Sequence, residues 1–490
     1  MLFNSIIYLL FLLFVVITYY CFPQRIRWIW LLVASIGYYI SFIPIFIALL
    51  GCGVVINFFL AIWLAGIPEK KNSGSLILII FLNIILLAFF KYFNTFFPDF
   101  HIHLTGTGHF FPSDPVNKMI LPLGLSYLIF TLLSYHIEVK RKNIQPETHI
   151  GYFSLYLLFF PRIAQGPIER PQQLIPQLHQ IHPFNYNLFS DGLKQILWGF
   201  FKKLVVADRL AIYVNAIYNN AEEHNGTSLL VATFFFAFQI YADFSGYTDI
   251  ALGSAKLFGF NLTDNFKRPY FATSIKDFWD RWHITLSTWL RDYIFLPIAY
   301  YLSNRLKKES YLFVSSQKWI YLIGIMITFT ICGIWHGVGW TYLIWGLLFG
   351  VYLSYANWTK DLSKKIRKQL HIKKTSPYYV FYKILLTFIL VLFTWIFFRA
   401  SSLSQATMII GKIFTSSGPV FFYSPYDLIY GIFGIIVLMA AEFKREFIPD
   451  HWTILYNRYP AVRIAGIVFI VITILLTGVF DGGQFIYFQF

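Results

Sequence analysis

The chain has 490 residues, 57% hydrophobic and only 13% charged, with a formal net charge of +16. Soluble domains carry about 25% charged residues, so the composition excludes a string of soluble domains and predicts an all-α polytopic membrane protein. Lys and Arg fall mainly in short segments between apolar runs, as orientation in a membrane produces, so the positive charge does not point to nucleic acid.

In chain order, "MLFNSIIYLLFLLFVVITYY" has no basic n-region and no small-residue cleavage signal, and reads as a retained first span. Apolar runs of spanning length cover 3–22, 28–43, 45–66, 75–97 and 119–137. Arg25 and Arg27 follow the first, Lys70 and Lys71 the third, and Lys140, Arg141 and Lys142 the fifth. The turn at 41–45 has no basic residue, and 98–118 has one, Lys118. The positive-inside rule then puts the N-terminus outside and 23–27, 67–74 and 138–150 in the cytoplasm.

The middle of the chain is less regular. "FFPRIAQGPIERPQQLIPQL" (159–178) has four prolines and cannot be one continuous helix; its Arg162, Glu169 and Arg170 are expected to line a cavity or lie at the interface. One clear span, 227–245, is surrounded by short or polar-interrupted segments at 149–161, 187–218, 246–260 and 274–302. Re-entrant segments are tolerated only where protein or water satisfies their backbone, which implies a central cavity. Within "QIYADFSGYTDIALG" (239–253), Asp243 and Asp249 are expensive in apolar surroundings. They could orient a histidine, line a polar tunnel, or pair with Arg281, Arg291 or Lys256.

"KDFWDRWHITLSTWLRDY" (276–293) reads as one amphipathic helix. Trp279, Trp282, His283, Leu286, Trp289, Leu290 and Tyr293 gather on one face, while Asp277, Asp280, Arg281, Ser287, Thr288, Arg291 and Asp292 gather on the other. Tryptophans on the apolar side suit a helix lying at the interface. His283 is either a site residue or a packing histidine hydrogen-bonded in the core.

Further spans are expected at 319–334, 339–358, 379–398, 426–442 and 463–480. Between the first two lies "GIWHGVGW" (333–340), with His336 flanked by Trp335 and Trp340. Its three glycines leave space and permit unusual backbone angles. Imidazole suits a general base near neutral pH, although His336 could simply cap a helix end. "KDLSKKIRKQLHIKK" (360–374) carries seven basic residues against one acidic and is expected in the cytoplasm; tracing back from it puts His336 toward the external side. Arg399 ends "WIFFRA" (395–400), positioned to snorkel outward or to anchor an anionic group. The C-terminal "FIYFQF" is expected outside.

Three cysteines without CxxC or CxxH spacing, and no acidic runs, give no metal site. No phosphate loop, HExxH, EF-hand or serine elbow is present. The residues alone leave a histidine-based transferase or a transporter with midplane polar groups. The chain reads as one membrane domain with helix groups 1–137, 138–358 and 359–490.

Stretches over nearly the whole chain carry a resemblance: "MLFNSIIYLLFLL", "FFPRIAQGPIERPQQLIPQL", "YADFSGYTDIALGSAKLFGFNLTDNFKRPYFATSIKDFWDRWHITLSTWLRDYIFLP", "GIWHGVGWTYLIWG", "WIFFRA" and "FIYFQF". With them the chain resembles the membrane-bound O-acyltransferase family, in its bacterial alginate O-acetyltransferase membrane-subunit branch. The resemblance implies about 11–13 transmembrane helices, with re-entrant and interfacial amphipathic helices, around a central tunnel. It implies that His336 is the catalytic histidine and His283 the second site position. Asp243, Asp249, Trp335, Arg281, Arg291, Arg162 and Glu169 would be tunnel or supporting residues. Asp280 and Thr288 stand where many relatives have arginine, so contacts made there by relatives are in doubt.

The implied activity is transfer of an acyl group, acetyl first, from a cytoplasmic thioester to a hydroxyl of an extracytoplasmic polymer. No permanently bound cofactor is expected; acetyl-CoA or an acyl carrier protein thioester would be the donor. Implied partners are the lipid bilayer, an extracytoplasmic acetyltransferase of SGNH-hydrolase type or another acceptor protein, and a cytoplasmic acyl carrier protein. The implied location is the bacterial cytoplasmic membrane. D-alanyl transfer to teichoic-acid-type acceptors is the alternative chemistry. A transporter would show repeated, interrupted helices, which the sequence lacks.

Overall fold

The computed structural model describes every residue except 43, 45, 69–72, 98–121, 423, 449–453 and 481–490. Lys70, Lys71, Lys118, the start of the 119–137 run and "FIYFQF" lie outside the described residues. The chain divides into two compact units, Met1–Gly199 with Tyr247–Thr263, and Phe200–Gly246 with Asp264–Phe490.

The first unit opens with α1 (Ile6–Cys21), whose N-terminus is capped by the Ser5 hydroxyl accepting from the Tyr8 amide at 3.1 Å. Then come α2 (Arg27–Ile40), α3 (Phe46–Gly66), α4 (Ser73–Phe96) and α5 (Leu125–Lys140). Two buried polar groups of α5 bond one turn back in their own helix: Thr131 donates to the Tyr127 carbonyl at 2.8 Å, and His136 Nδ1 lies 2.8 Å from the Leu132 carbonyl. The proline-rich stretch breaks as its composition requires, into α6 (Ile150–Leu158), α7 (Phe160–Ile163) and α8 (Pro171–Leu178). Nine residues of α6 reach about 14 Å at 1.5 Å per residue, well short of a bilayer core of about 30 Å.

From α9 (Tyr186–Phe200) the backbone runs through a π-helical stretch, Phe201–Ala207, into α10 (Asp208–Tyr218). The next helix, α11 (Gly226–Leu257), has 32 residues, and 83% of its most apolar window is buried. It is a core helix, whereas the other candidate spans bury at most 33% of theirs and leave most of their surface for lipid.

In the second unit the expected single helix over 276–293 does not form. Three pieces replace it: α12 (Ile275–Trp279), α13 (Ile284–Leu290) and a π-helical turn, Arg291–Phe295, continuing into α14 (Leu296–Arg305). The break comes at His283, whose φ of 42° and ψ of 55° are left-handed. A two-stranded hairpin, β1 (Ser310–Tyr311) and β2 (Val314–Ser315), precedes α15 (Ser316–His336). After α15 come α16 (Trp340–Trp358), α17 (Lys360–Gln369), α18 (Pro377–Arg399), α19 (Leu403–Thr415), α20 (Pro425–Phe447) and α21 (Pro460–Thr477).

The protein is an all-α multi-pass membrane protein. Among the described residues, seven helices (α3, α4, α11, α15, α18, α20 and α21) are long and apolar enough to cross a bilayer, and α1 is a shorter apolar helix.

Candidate active site

Both histidines singled out above lie in the second unit, each in an unusual setting. His283 is almost completely buried, and its ring stands edge-on to Phe244 of α11 at 4.7 Å. Left-handed backbone is uncommon for a residue with a Cβ, so neighbouring groups must hold it there. Asn265 supplies most of that hold. Its carbonyl accepts from the Ile284 amide at 2.9 Å, and its side-chain oxygen accepts from the Thr285 amide at 3.2 Å and the Thr285 hydroxyl at 2.6 Å. The Lys267 amide donates to the Arg281 carbonyl at 2.9 Å, pinning the other side of the break. Local hydrogen bonds to this loop thus replace the helical bonds that a continuous 276–293 helix would have made.

The same contacts select a tautomer. A backbone amide can only donate, so the Asn265 atom facing Thr285 is its oxygen. His283 Nδ1 lies 3.4 Å from that oxygen. This long contact favours the proton on Nδ1 and the lone pair on Nε2.

Burial pushes the His283 pKa down to about 3, so the ring is neutral at pH 7. In the unfolded chain an imidazole titrates near 6.5. Below that pH the unfolded state binds a proton that the native state refuses. Stability is therefore complete above pH of about 6.5 and declines as pH falls toward 3, by about 1.4 kcal/mol per pH unit. His283→Asn, which tolerates left-handed backbone, is expected to flatten this dependence in thermal unfolding of the detergent-solubilised protein. Asn265→Asp is expected to narrow it, because a carboxylate favours the imidazolium in the native state. Identical pH profiles for all three proteins would refute the assignment.

His336 is the last residue of α15 and is also buried. Its ring is enclosed by Trp335 at 4.6 Å, Trp345 of α16 at 4.8 Å and Phe398 of α18 at 5.2 Å. These rings belong to a larger aromatic cluster. Trp395 lies 5.4 Å from Phe398, 6.3 Å from Trp345 and 5.2 Å from Trp282, the neighbour of His283 in sequence. Trp279 reaches Trp345 from the α12 side at 6.0 Å. A single aromatic wall therefore leads from one histidine to the other.

The glycines of "GIWHGVGW" do not act through backbone freedom. Gly337 has an extended φ of −179° and Gly339 a φ of −72°, both open to any residue. What the sequence needs is proximity: a Cβ on Gly333 would stand 2.5 Å from the Tyr342 carbonyl oxygen, and one on Gly346 2.3 Å from that of Phe329. The absent side chains let α15 and α16 meet backbone to backbone, which sets His336 against Trp345.

The other expected site residues are distributed as follows. Asp243 pairs at 2.7 Å with Lys203, which also reaches Asp208 at 2.8 Å, a cation outside the candidates Arg281, Arg291 and Lys256. The π-helical stretch carries Lys203 into the interior, where apolar patterning gives no sign of it. Arg281 bridges Asp277 at 2.7 Å and Glu446 of α20 at 2.8 Å, and Glu446 also holds Arg268 at 2.6 Å. Arg291 is exposed and pairs with Asp292. Trp335 is half-buried against His336. Arg399 donates to the side-chain oxygens of Asn215 at 2.8 Å and Asn219 at 3.3 Å, both on or next to α10.

Asp249, Arg162 and Glu169 belong to the first unit. Asp249 accepts from Gln195 at 3.1 Å. Buried Arg162 donates to the Thr131 hydroxyl at 3.3 Å and stacks over Tyr156. Glu169 accepts from the Thr263 amide at 2.5 Å and its hydroxyl at 3.0 Å.

Comparison with known proteins bears on this arrangement. The profile of the membrane-bound O-acyltransferase family matches residues 142–403, more than half of the chain and including both histidines, Asn265 and the aromatic cluster. The chain belongs to the membrane-bound O-acyltransferase family. It is 32% identical to a protein of Pseudomonas syringae pv. tomato named "Probable alginate O-acetylase AlgI", over 81% of this chain and 72% of that one. It is 31% identical to a "Peptidoglycan O-acetyltransferase" of Helicobacter pylori, over 78% of this chain and 72% of that one. A "Teichoic acid D-alanyltransferase" of Bacillus subtilis is 28% identical over 52% of this chain and 64% of its own. This O-acyltransferase is thus a membrane enzyme, and the profile match spans the segments that build the two histidine environments.

Proposed function

We propose that this O-acyltransferase moves an acetyl group from a cytoplasmic thioester, acetyl-CoA or an acyl carrier protein, to a hydroxyl on the external side of the bacterial cytoplasmic membrane. The acceptor chain ends in an exopolysaccharide or cell-wall polymer, reached through an extracytoplasmic acetyltransferase partner of SGNH-hydrolase type. Both termini face outward in this reading, as the distribution of basic residues favours. The observation that carries the acetyl assignment is coverage: named O-acetylases align over about four-fifths of the chain, and the D-alanyltransferases over about half.

In this reading His336 is the general base. Its imidazole takes the acceptor hydroxyl proton as the oxygen attacks the thioester carbonyl. The C–S bond then breaks, and the imidazolium returns the proton to the departing thiolate. His283 stays neutral and is oriented by Asn265, so that Nε2 can accept a hydrogen bond from a reactant. The aromatic wall excludes water, which strengthens every polar contact made to the developing charge.

Purified protein in liposomes loaded with labelled acetyl-CoA tests the reading. Ester-linked label on an external acceptor is the expected result. Transfer only from a D-alanyl carrier protein would move the assignment to the teichoic-acid chemistry. Label that crosses without forming an ester would place the protein among transporters.

A further inference from the structure

At one end of the α15–α16 pair the polar and apolar surfaces follow a pattern that acyl transfer does not use. Lys318, near the start of α15, donates to the Trp358 carbonyl at 3.4 Å and lies 3.9 Å from Asp361. Trp319 and Trp358 meet edge to face at 5.9 Å, and the Trp319 indole donates to the Tyr311 carbonyl at 3.0 Å. These contacts gather three features at the same level: the β1–β2 hairpin, a tryptophan pair of the kind that marks a membrane interface, and α17.

All of α17 is exposed except half-buried Arg367. At about 100° per residue, Leu362, Ile366 and Leu370 fall within an arc of about 80°, while Lys360, Lys364, Lys365, Arg367 and Lys368 occupy the opposite side. The hairpin tip repeats the theme. Leu312 and Phe313 are 81% and 106% exposed, and both have left-handed backbone, with φ of 49° and 62°. Tight hairpin turns usually take Asn or Gly there, so two bulky apolar residues held in water would be unfavourable twice over. From Arg305 to Lys374 the chain has eleven basic residues and two acidic ones.

We propose that α17 and the Leu312–Phe313 tip form one surface that binds acidic glycerophospholipid headgroups, with the apolar stripe and Phe313 set among the acyl chains. An acidic protein surface would match the basic arc but leave the stripe on the far side uncovered. A helix lying in the plane of an anionic leaflet satisfies both faces at once. Lys365 and Arg367, at the arc's edges, can run their methylene stems along the stripe and present their charges to phosphates.

Spin labels in the full-length protein test this. Cys21 and Cys52 are exposed and Cys332 is buried, so a Cys21→Ser, Cys52→Ser background accepts single labels at Phe313→Cys, Ile366→Cys and Lys364→Cys. In nanodiscs containing phosphatidylglycerol, the labels at 313 and 366 are expected to be open to oxygen and shielded from an aqueous nickel chelate, with the reverse at 364. In phosphatidylcholine alone, or with the five basic residues of α17 replaced by glutamine, the label at 366 is expected to lose its shielding. A label at 366 as open to nickel as that at 364 in phosphatidylglycerol overturns the proposal. So does shielding that arises only when an acidic acyl carrier protein is added, which would assign the surface to a protein partner.

Discussion

Replacement of His336 by alanine is expected to lower ester formation by about 10²–10⁴-fold, the range for loss of a general base, without loss of the folded protein. The ring's neighbours are aromatic: Trp335, Trp345 and Phe398 enclose it. Alanine would leave space in this cluster, so reduced activity by itself could report loosened packing. His336→Phe separates the two effects. It retains edge-to-face packing in a similar volume but has no lone pair to accept a proton. Both variants should elute as the parent does in size-exclusion chromatography and fail in the liposome assay. Transfer by His336→Phe at more than a tenth of the parent rate would remove His336 from the base role.

The largest expected effect on stability comes from Lys203→Met. Lys203 is fully buried between Asp208 and Asp243, and their side chains are at most 10% exposed. Removing the ammonium leaves two largely buried carboxylates without their shared cation. Breaking a buried ion pair in this way costs about 3–5 kcal/mol. A marked fall in thermal stability is expected, measured in detergent at pH 7. Replacing all three together with apolar or amide groups (Lys203→Met, Asp208→Asn, Asp243→Asn) should recover much of the loss, since an ion cluster often contributes little net stability over a neutral isostere. An unchanged midpoint in the single variant would show that the cluster does not hold the π-helical stretch in place.

Much of this molecule was legible from local chemistry. Long apolar runs require helices because a bilayer offers no partners for backbone polar groups, and four prolines in 159–178 necessarily break a helix. The two histidines also stood out, as titratable groups in an apolar chain. Their settings did not. The pattern of 276–293 fits one amphipathic helix, yet hydrogen bonds from Asn265, almost twenty residues earlier, hold His283 left-handed and interrupt it. Periodicity records which residues are apolar; it carries no information on a loop that competes for the same amides.

Ion pairing of the buried carboxylates was foreseeable, but the partner was not, for a related reason. Asp243 had the cationic candidates Lys256, Arg281 and Arg291, but it pairs with Lys203, and the π-helical stretch decides that this lysine faces inward. The glycines around His336 were conspicuous, but only the packing of α15 on α16 shows that they permit contact, not unusual torsion angles. Composition and hydrophobic run length by themselves determined the solvent, the helical class and the polar residues worth examining, because these depend on transfer of each segment into lipid. Tertiary structure alone decided which polar groups meet and how each imidazole is held, because those outcomes depend on contacts between segments far apart in the chain.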